Sequence, residues 1–198
     1  MIRHDTTYEH ALAFVQKKHR GQFRAGKVPV WHHLLRVSDL LRLTLSDMKE
    51  GTPKERRIIA LAALGHDLLE DTKATDKEIA TVFTKRGLEL IQGMTNPHGD
   101  ADHGPYIRAM ASAEEAVRLI KLSDLYDNFT SVVHMLPTVG AQWTNSFFLP
   151  ITMPMHAAIK KTTFTEYPKT AEHLIRLVDS SMQLLQSELR HQAGNSKK

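Results

Sequence analysis

The chain has 198 residues, of which 41% are hydrophobic and 24% are charged, a composition typical of one folded globular domain. Cysteine is absent, which excludes a disulfide scaffold, a thiolate nucleophile and a zinc–thiolate site. No stretch reaches the roughly 18 apolar residues of a membrane span, and residues 1–5 lack the apolar core of a secretion signal. The sequence therefore predicts a cytoplasmic protein. Its formal net charge of +4 is compatible with an anionic partner but does not identify one.

Helical periodicity covers the first part of the chain. Apolar residues recur at helical intervals over residues 8–18 and 32–43, with a basic Gly/Pro loop at 22–29 between them. Thr52 is followed by Pro and, at the third helical position, by Glu, a capping box that opens a third helix. The body of that helix, residues 58–69, is apolar on most sides, which predicts that it lies at the centre of the fold.

The middle of the chain alternates capping boxes with loops. Thr75 begins a capping box before a short helix to about residue 83, and residues 87–92 predict a further turn or two. Residues 95–104 form a loop by composition. Ser112 and Glu115 offer a third capping box, before a long helix to roughly residue 133.

The last third is predicted to be irregular over residues 135–145, with helices near 147 and over 168–190. No alternating strand pattern, internal repeat or linker interrupts the chain. The sequence therefore predicts a single all-α domain over residues 1–192, followed by a disordered tail at 193–198.

The strongest chemical signal is the segment from Gly65 to Thr72, with the sequence Gly-His-Asp-Leu-Leu-Glu-Asp-Thr, at the end of the apolar helix. Burial of a histidine and three carboxylates costs on the order of several kcal/mol unless something such as a bound cation compensates. On a continuous helix, His66 and Asp67 would share a face with Glu70. A His-Asp pair alone is a weak signal, because solvated residues at a helix end give the same pattern.

Two further segments strengthen the prediction of a cation. His32 and His33 open the second helix, and residues 121–128, which include Asp124, place polar side chains inside an otherwise amphipathic helix. Taken alone, the histidine pair is explained by helix capping, and residues 121–128 are explained by a solvated helix face. Together the segments supply His, His-Asp and Asp in that order. Two imidazoles and two carboxylates leave two positions open on a six-coordinate ion, which suits hydrolysis.

These motifs resemble those of the HD-domain metal-dependent phosphohydrolases and, in detail, those of RelA/SpoT-type (p)ppGpp hydrolases, especially the small single-domain alarmone hydrolases. The matching segments are residues 19–24, 29–33, 62–72, 93–95 and 121–124, with Asn128. They cover roughly residues 8–130 in the family's order. The resemblance implies an HD-domain helical bundle with its metal and catalytic core at about residues 8–133 and C-terminal helices at about 147–192.

The resemblance also implies a metal ion, typically Mn²⁺ in this family, and a water-activating acidic pair. The implied ion ligands are His33, His66, Asp67 and Asp124, the implied acidic pair is Glu70 and Asp71, and the implied substrate contacts are Arg24, Lys27 and Asn128. His33 is preferred over His32 because the family ligand follows the glycine that matches Gly21 by twelve residues. The implied reaction releases pyrophosphate from the ribose 3′ position of ppGpp or pppGpp, which leaves GDP or GTP.

The groups expected around the phosphate and the base depart from the family pattern. The departures are Ala25 for Lys, Val30 for Tyr, Leu125 for Arg, Asp127 for His and Thr130 for Arg. Lys27 is the residue that could replace the missing cation at Ala25. An HD phosphohydrolase for another nucleotide or phosphoester, such as an adenine alarmone, stays open, as does a non-catalytic nucleotide-sensing module. A basic RNA-binding helical protein is indicated only by the charge.

Other conspicuous residues have structural explanations. The predictions are packing in the fold for Trp31, Trp143, Phe147 and Phe148, and helix surfaces for His134, His156 and His173. His98 and His103 are predicted to lie in a solvated loop, with contact to the substrate as the alternative. The last helices could cover the domain or form a homodimer face. The partner implied by the resemblance is a small-molecule nucleotide, with no membrane and no nucleic acid.

Overall fold

Helices form the regular structure of the protein in the computed structural model, which describes residues 6–96 and 103–195; these two ranges contain no β-strand. The predicted all-α class is therefore confirmed. In chain order the helices are α1 (Thr6–Lys18), α2 (Val30–Asp47), α3 (Pro53–Leu64), α4 (Leu68–Asp71), α5 (Asp76–Met94), α6 (His103–Ser112), α7 (Glu115–Trp143), α8 (Leu149–Lys160) and α9 (Pro168–Asn195). A short 3₁₀ turn, Ala25–Lys27, lies in the loop between α1 and α2, and a π-helical segment, Thr144–Phe148, joins α7 to α8.

Helix α3 lies at the centre of the bundle, as its apolar composition predicts. Its residues 59–64 are all buried, and it packs against α1, α2, α5 and α7. The long helix α7 packs along α9 and also contacts α2 and α5. One hydrophobic core runs through all of these helices, so α2, the end of α3 and α7 meet around a common centre.

Two of the three predicted capping boxes are confirmed. Thr52 and Glu55 bond reciprocally at the start of α3, and Thr75 and Glu78 do so at the start of α5. The third prediction, at Ser112, is wrong, because Ser112 ends α6 and α7 begins at Glu115. The Glu115 carboxylate accepts backbone N–H groups of residues 165–167 at 2.6, 2.9 and 3.1 Å. Glu115 therefore accepts three hydrogen bonds from a distant loop, whereas a capping box would give its side chain one backbone N–H.

The prediction that residues 135–145 are irregular is also wrong, because α7 continues to Trp143. Val132 and Leu136 are buried, and Val139, beyond Pro137, packs against the same core, so the apolar face of the helix continues past Pro137. The irregularity is concentrated at Gly140, whose φ of 81° and ψ of 154° are not helical. Glycine occupies this region without the steric cost of a Cβ. The helix direction therefore changes there, just before the π-helical segment.

The C-terminal helix α9 runs to Asn195, three residues beyond the predicted domain boundary at 192. Residues 196–198 of the predicted tail lie outside the described residues. No helix in the described ranges combines the length and the apolar character needed to cross a lipid bilayer.

Candidate metal centre and substrate cleft

The predicted ion ligands His66 and Asp67 lie in a turn between two helices. The expectation of one continuous helix over residues 58–69 is wrong, because α3 ends at Leu64 and α4 begins at Leu68. Gly65 lets this turn pack closely against α5, since a Cβ there would lie 2.9 Å from Cδ1 of Ile91. The two ligands therefore do not share a helix face with Glu70. The turn itself directs them to the interior.

Three separate segments bring the ion ligands together. The ligand atoms of His33 on α2, His66 in the turn and Asp124 on α7 lie within 4.8 Å of one another, and all three residues are buried. Oδ1 of Asp67 lies 3.0 Å from Nε2 of His66, and Oδ2 lies 4.0 Å from Nε2 of His33. All four predicted ligands thus converge. Two imidazole nitrogens and two carboxylates are a donor set that fits a divalent cation.

The charges in this cluster favour a cation. Burial alone would raise the pKa of Asp67, but His66 and His33 lower it to about 2. Burial likewise opposes ionisation of Asp124, but Lys121 and the two histidines hold the pKa of Asp124 well below its usual range. Both carboxylates are therefore ionised at neutral pH. Burial lowers the pKa of His66, and the same two carboxylates raise it to well above its usual value, which shows their attraction for positive charge.

The predicted acidic pair lies beside this cluster. Glu70 and Asp71 on α4 line a cleft of about 280 Å³ together with three of the ion ligands, His33, Asp67 and Asp124. Partial burial raises the pKa of both carboxyl groups, and the negative charge of Asp67 raises each further. The backbone N–H of Asn96 donates to Oε1 of Glu70 and holds this side chain in place. A carboxylate with a raised pKa is a suitable acceptor for a proton from water.

Two of the predicted substrate contacts border the same cleft, and the third does not. Nη2 of Arg24 donates to Oδ1 of Asn128 at 2.5 Å, and Nδ2 of Asn128 donates to Oδ1 of Asp124 at 2.7 Å. Arg24 and Asn128 are thus linked to an ion ligand. Lys27 is exposed at the end of the 3₁₀ turn and is not among the residues that line the cleft.

A second cavity of about 420 Å³ shares Arg24, Lys121, Asp124 and Asn128 with the cleft. Its other walls are mostly apolar and come from α7, the π-helical segment and α8. They include Leu125, Val132, Met135, Val139, Trp143, Phe147, Phe148, Ile151 and Met155. Phe148 is buried as predicted, whereas Trp143 and Phe147 are 39% and 45% exposed at the cavity wall.

The remaining histidines and Trp31 divide between confirmed and corrected predictions. His103 begins α6 and lines the apolar cavity, whereas His98 lies outside the described residues. His134 is exposed and His173 is half-buried, and Trp31 packs against the core. The surface placement of His156 is wrong. This side chain is buried because Asp179 on α9 lies 2.8 Å from its Nε2 and provides a non-local partner.

Two side chains of α7 have contacts at the candidate site that were not predicted from the sequence. Lys121 lies in the cleft, its Nζ 3.0 Å from Oδ2 of Asp124, and it adds a positive charge beside the ion cluster. Asp127, predicted only as a departure from the family pattern, contacts His33, Arg36 and Ser131. The helical spacing of Lys121, Asp124 and Asp127, three residues apart, was the available signal that they share a face.

Comparisons with known proteins agree with these motifs. No known protein-family profile matches the chain. The chain is 31% identical over 132 residues, 64% of its length, to a guanosine-3′,5′-bis(diphosphate) 3′-pyrophosphohydrolase of Aquifex aeolicus, of which the match covers only 18%. It is 27% identical over 136 residues to the Drosophila melanogaster protein of that name, which covers 66% of this chain and 72% of that protein.

A structural comparison agrees as well. A solved structure of a metazoan ortholog of SpoT that hydrolyzes ppGpp superposes with a TM-score of 0.72, covering 90% of this chain and 95% of that one at 21% identity, which shows a shared fold. The predicted resemblance is confirmed: the chain has the fold of that SpoT ortholog and is similar in sequence to guanosine-bis(diphosphate) 3′-pyrophosphohydrolases.

Proposed function

We propose that the protein is an Mn²⁺-dependent hydrolase that removes the 3′-pyrophosphate of ppGpp or pppGpp, giving GDP or GTP. The observation that carries the proposal is the convergence of His33, His66, Asp67 and Asp124 beside an acidic pair, in a cleft that also holds Arg24 and Asn128. The names of the relatives support the choice of substrate. The donor set supports a divalent ion, and the choice of Mn²⁺ rests on the resemblance.

The chemistry divides between the ion and the carboxylates. A divalent ion bound by these four residues would lower the pKa of a water molecule and offset the charge on the phosphoryl oxygens. Glu70, assisted by Asp71, orients that water and accepts its proton. Hydroxide then bonds to the phosphorus attached to the ribose 3′ oxygen. The bond between that phosphorus and the oxygen breaks, and the oxygen leaves with a proton.

The groups around the cluster supply charge for the pyrophosphate and space for the nucleoside. Arg24 and Lys121 provide charge-assisted hydrogen bonds for phosphate oxygens, and Asn128 fixes Arg24 through the 2.5 Å bond between them. The apolar cavity is contiguous with these residues and presents Trp143 and Phe147. An aromatic wall of this kind stacks on a purine ring. A homodimer and a cytoplasmic location stay predictions.

The decisive experiment is hydrolysis of ppGpp by the purified protein with Mn²⁺, with EDTA as a control and with identification of the products. GDP and pyrophosphate, formed only without EDTA, are the expected result. Absence of turnover in a protein that binds Mn²⁺ would contradict the proposed substrate. A panel of other nucleotides, beginning with adenine alarmones, would then identify the substrate, and inactivity on all of them would favour a nucleotide sensor.

A further inference from the structure

We propose that Asp127 is a positioning residue that fixes the tautomer and the orientation of His33 for metal binding. The inference rests on the metal site of the proposed function but not on its substrate. Oδ2 of Asp127 lies 2.6 Å from Nδ1 of His33. The two residues are 6% and 3% exposed, so water does not compete for this hydrogen bond.

The effect on His33 follows from the chemistry of imidazole. A neutral imidazole carries one proton, and only the nitrogen without it can bind a metal. A carboxylate accepts hydrogen bonds, so the contact with Asp127 holds the proton on Nδ1. The lone pair is then on Nε2, which lies 3.2 Å from Oδ1 of Asp124 inside the ligand cluster. Carboxylates that accept from metal-binding histidines act in this way in many metal sites.

Asp127 is itself held from two sides. Arg36 follows His33 by one turn of α2 and donates two hydrogen bonds to the carboxylate of Asp127. Its Nε lies 2.6 Å from Oδ1 and its Nη2 lies 3.0 Å from Oδ2. Oγ of Ser131, one turn further along α7, donates to Oδ2 at 3.3 Å. Nη1 of Arg24 lies 3.9 Å from the same Oδ2, so donors and cations from three segments hold the carboxylate. Asp127 lies one turn after Asp124 on α7 and contacts His33 on α2. It therefore fixes the position of His33 relative to Asp124.

The molecule contains a matched arrangement outside the ligand cluster. His156 on α8 lies 2.8 Å from Oδ1 of Asp179 on α9, and Nζ of Lys160 lies 2.8 Å from Oδ2. This is the same set of histidine, aspartate and cation. The other nitrogen of His156, Nδ1, is buried and has no hydrogen-bond partner among the described residues. A purely structural role for such a set can therefore be measured separately at Asp179.

The test compares the Mn²⁺ affinity of Asp127→Asn and Asp127→Ala with that of the wild-type protein, by calorimetry with Mn²⁺ alone and no nucleotide. We expect both variants to bind Mn²⁺ about 10- to 100-fold more weakly, the usual effect of removing a partner of a metal-binding histidine. Asp179→Asn is the matched control and should leave the affinity for Mn²⁺ unchanged. Thermal unfolding in EDTA reports the structural cost of each change separately.

Equal Mn²⁺ affinities in the wild-type protein and the Asp127 variants would overturn the inference. So would an equal loss in Asp179→Asn, because this would indicate general destabilisation, and so would a wild-type protein that binds no Mn²⁺. If Asp127→Ala fails to fold, the imidazole ¹⁵N spectrum of metal-free Asp127→Asn decides: the proton of His33 should lose its preference for Nδ1, and an unchanged tautomer contradicts the inference. A wild-type protein that binds Mn²⁺ but leaves ppGpp intact contradicts the proposed substrate and supports the inference if Asp127→Asn weakens that binding.

Discussion

The ion cluster and the apolar cavity next to it differ in how closely they follow the family pattern. In the cluster, the ligand atoms of His33, His66 and Asp124 lie within 4.8 Å of one another, and Oδ1 of Asp67 lies 3.0 Å from Nε2 of His66. The cavity contains two of the departures, because Ala25 and Leu125, where the family has cations, both line its wall. The two substitutions that remove a positive charge relative to the family pattern thus also add apolar surface to the cavity wall. Metal-dependent catalysis requires a few ligands in a strict geometry, whereas substrate specificity can change through substitutions in the cavity wall.

A third departure belongs to the cluster rather than to the cavity. Asp127 replaces a family histidine and pairs with His33 and Arg36. The sequence presents Asp127 as an acid gained near the substrate, but its carboxylate contacts Nδ1 of His33, whose other nitrogen faces Asp124. Variants in the ion cluster and in the apolar cavity test whether the first region supports catalysis and the second supports substrate binding.

The largest effect is expected from Asp67→Ala. Removal of this ligand should abolish Mn²⁺ retention and reduce turnover at least about 1,000-fold, because a bound ion supplies several kcal/mol of transition-state stabilisation. Calorimetry with Mn²⁺ and steady-state kinetics measure the two effects. Asp39→Ala, which removes an exposed carboxylate paired with Arg42, is the control. A fully active Asp67→Ala protein would eliminate this residue as an ion ligand.

Glu70→Gln should separate ion binding from water activation. Glutamine keeps the shape of the side chain but cannot accept the proton, so we expect Mn²⁺ to bind normally and kcat to fall about 100-fold or more. The two quantities are measured on the same preparation. Unchanged turnover would move the base role to Asp71.

The pH dependence of the wild-type protein checks the same assignment. Burial and Asp67 raise the pKa of Glu70 above its ordinary value. The base works when it is deprotonated, so kcat at saturating Mn²⁺ should fall as the pH drops through this raised pKa, about tenfold per unit below it. In Glu70→Gln this acid limb should disappear. A limb that persists in the variant belongs to another group.

Local signals predicted what local contacts determine. The capping boxes at Thr52 and Thr75 are correct because each closes within four residues of chain. The box at Ser112 and the surface placement of His156 are wrong because distant partners decide them: the amides of residues 165–167 for Glu115 and the carboxylate of Asp179 for His156. Such non-local partners have no periodic signature in a single sequence.

The candidate site shows the same division. The four candidate ligands were predictable because each lies in a short motif, and the order of these motifs resembles that of the (p)ppGpp hydrolases. The contact of Asp127 with His33 was not, because it depends on which side chains of α2 and α7 meet after folding. The contact of Lys121 with Asp124 is local to α7, and their helical spacing was the signal for it. The apolar cavity could not be predicted from the sequence either. It is formed by a helix that continues past Pro137 and by a π-helical segment, neither of which the local composition indicates.

Trp143→Ala tests the recognition side. Loss of a stacking ring should raise KM for ppGpp about tenfold and leave kcat nearly unchanged, because base–aromatic stacking contributes about 1–3 kcal/mol. Leu184→Ala, which removes another partly exposed apolar side chain, on α9, is the control. A fall in kcat with unchanged KM would mean that this ring supports the catalytic geometry rather than the nucleoside.

The smallest effect is expected from Lys27→Gln, and it refines the boundary of the site. Lys27 and Arg24 lie in the same loop, but Arg24 lines the cleft and the apolar cavity, whereas Lys27 is exposed and lines neither. Lys27→Gln should therefore change kcat/KM less than about twofold, since a solvent-screened charge contributes little. Arg24→Gln should lower kcat/KM about tenfold or more through the loss of charge-assisted hydrogen bonds. Equal losses in both variants would show that the loop closes over the substrate and that Lys27 does replace the cation missing at Ala25.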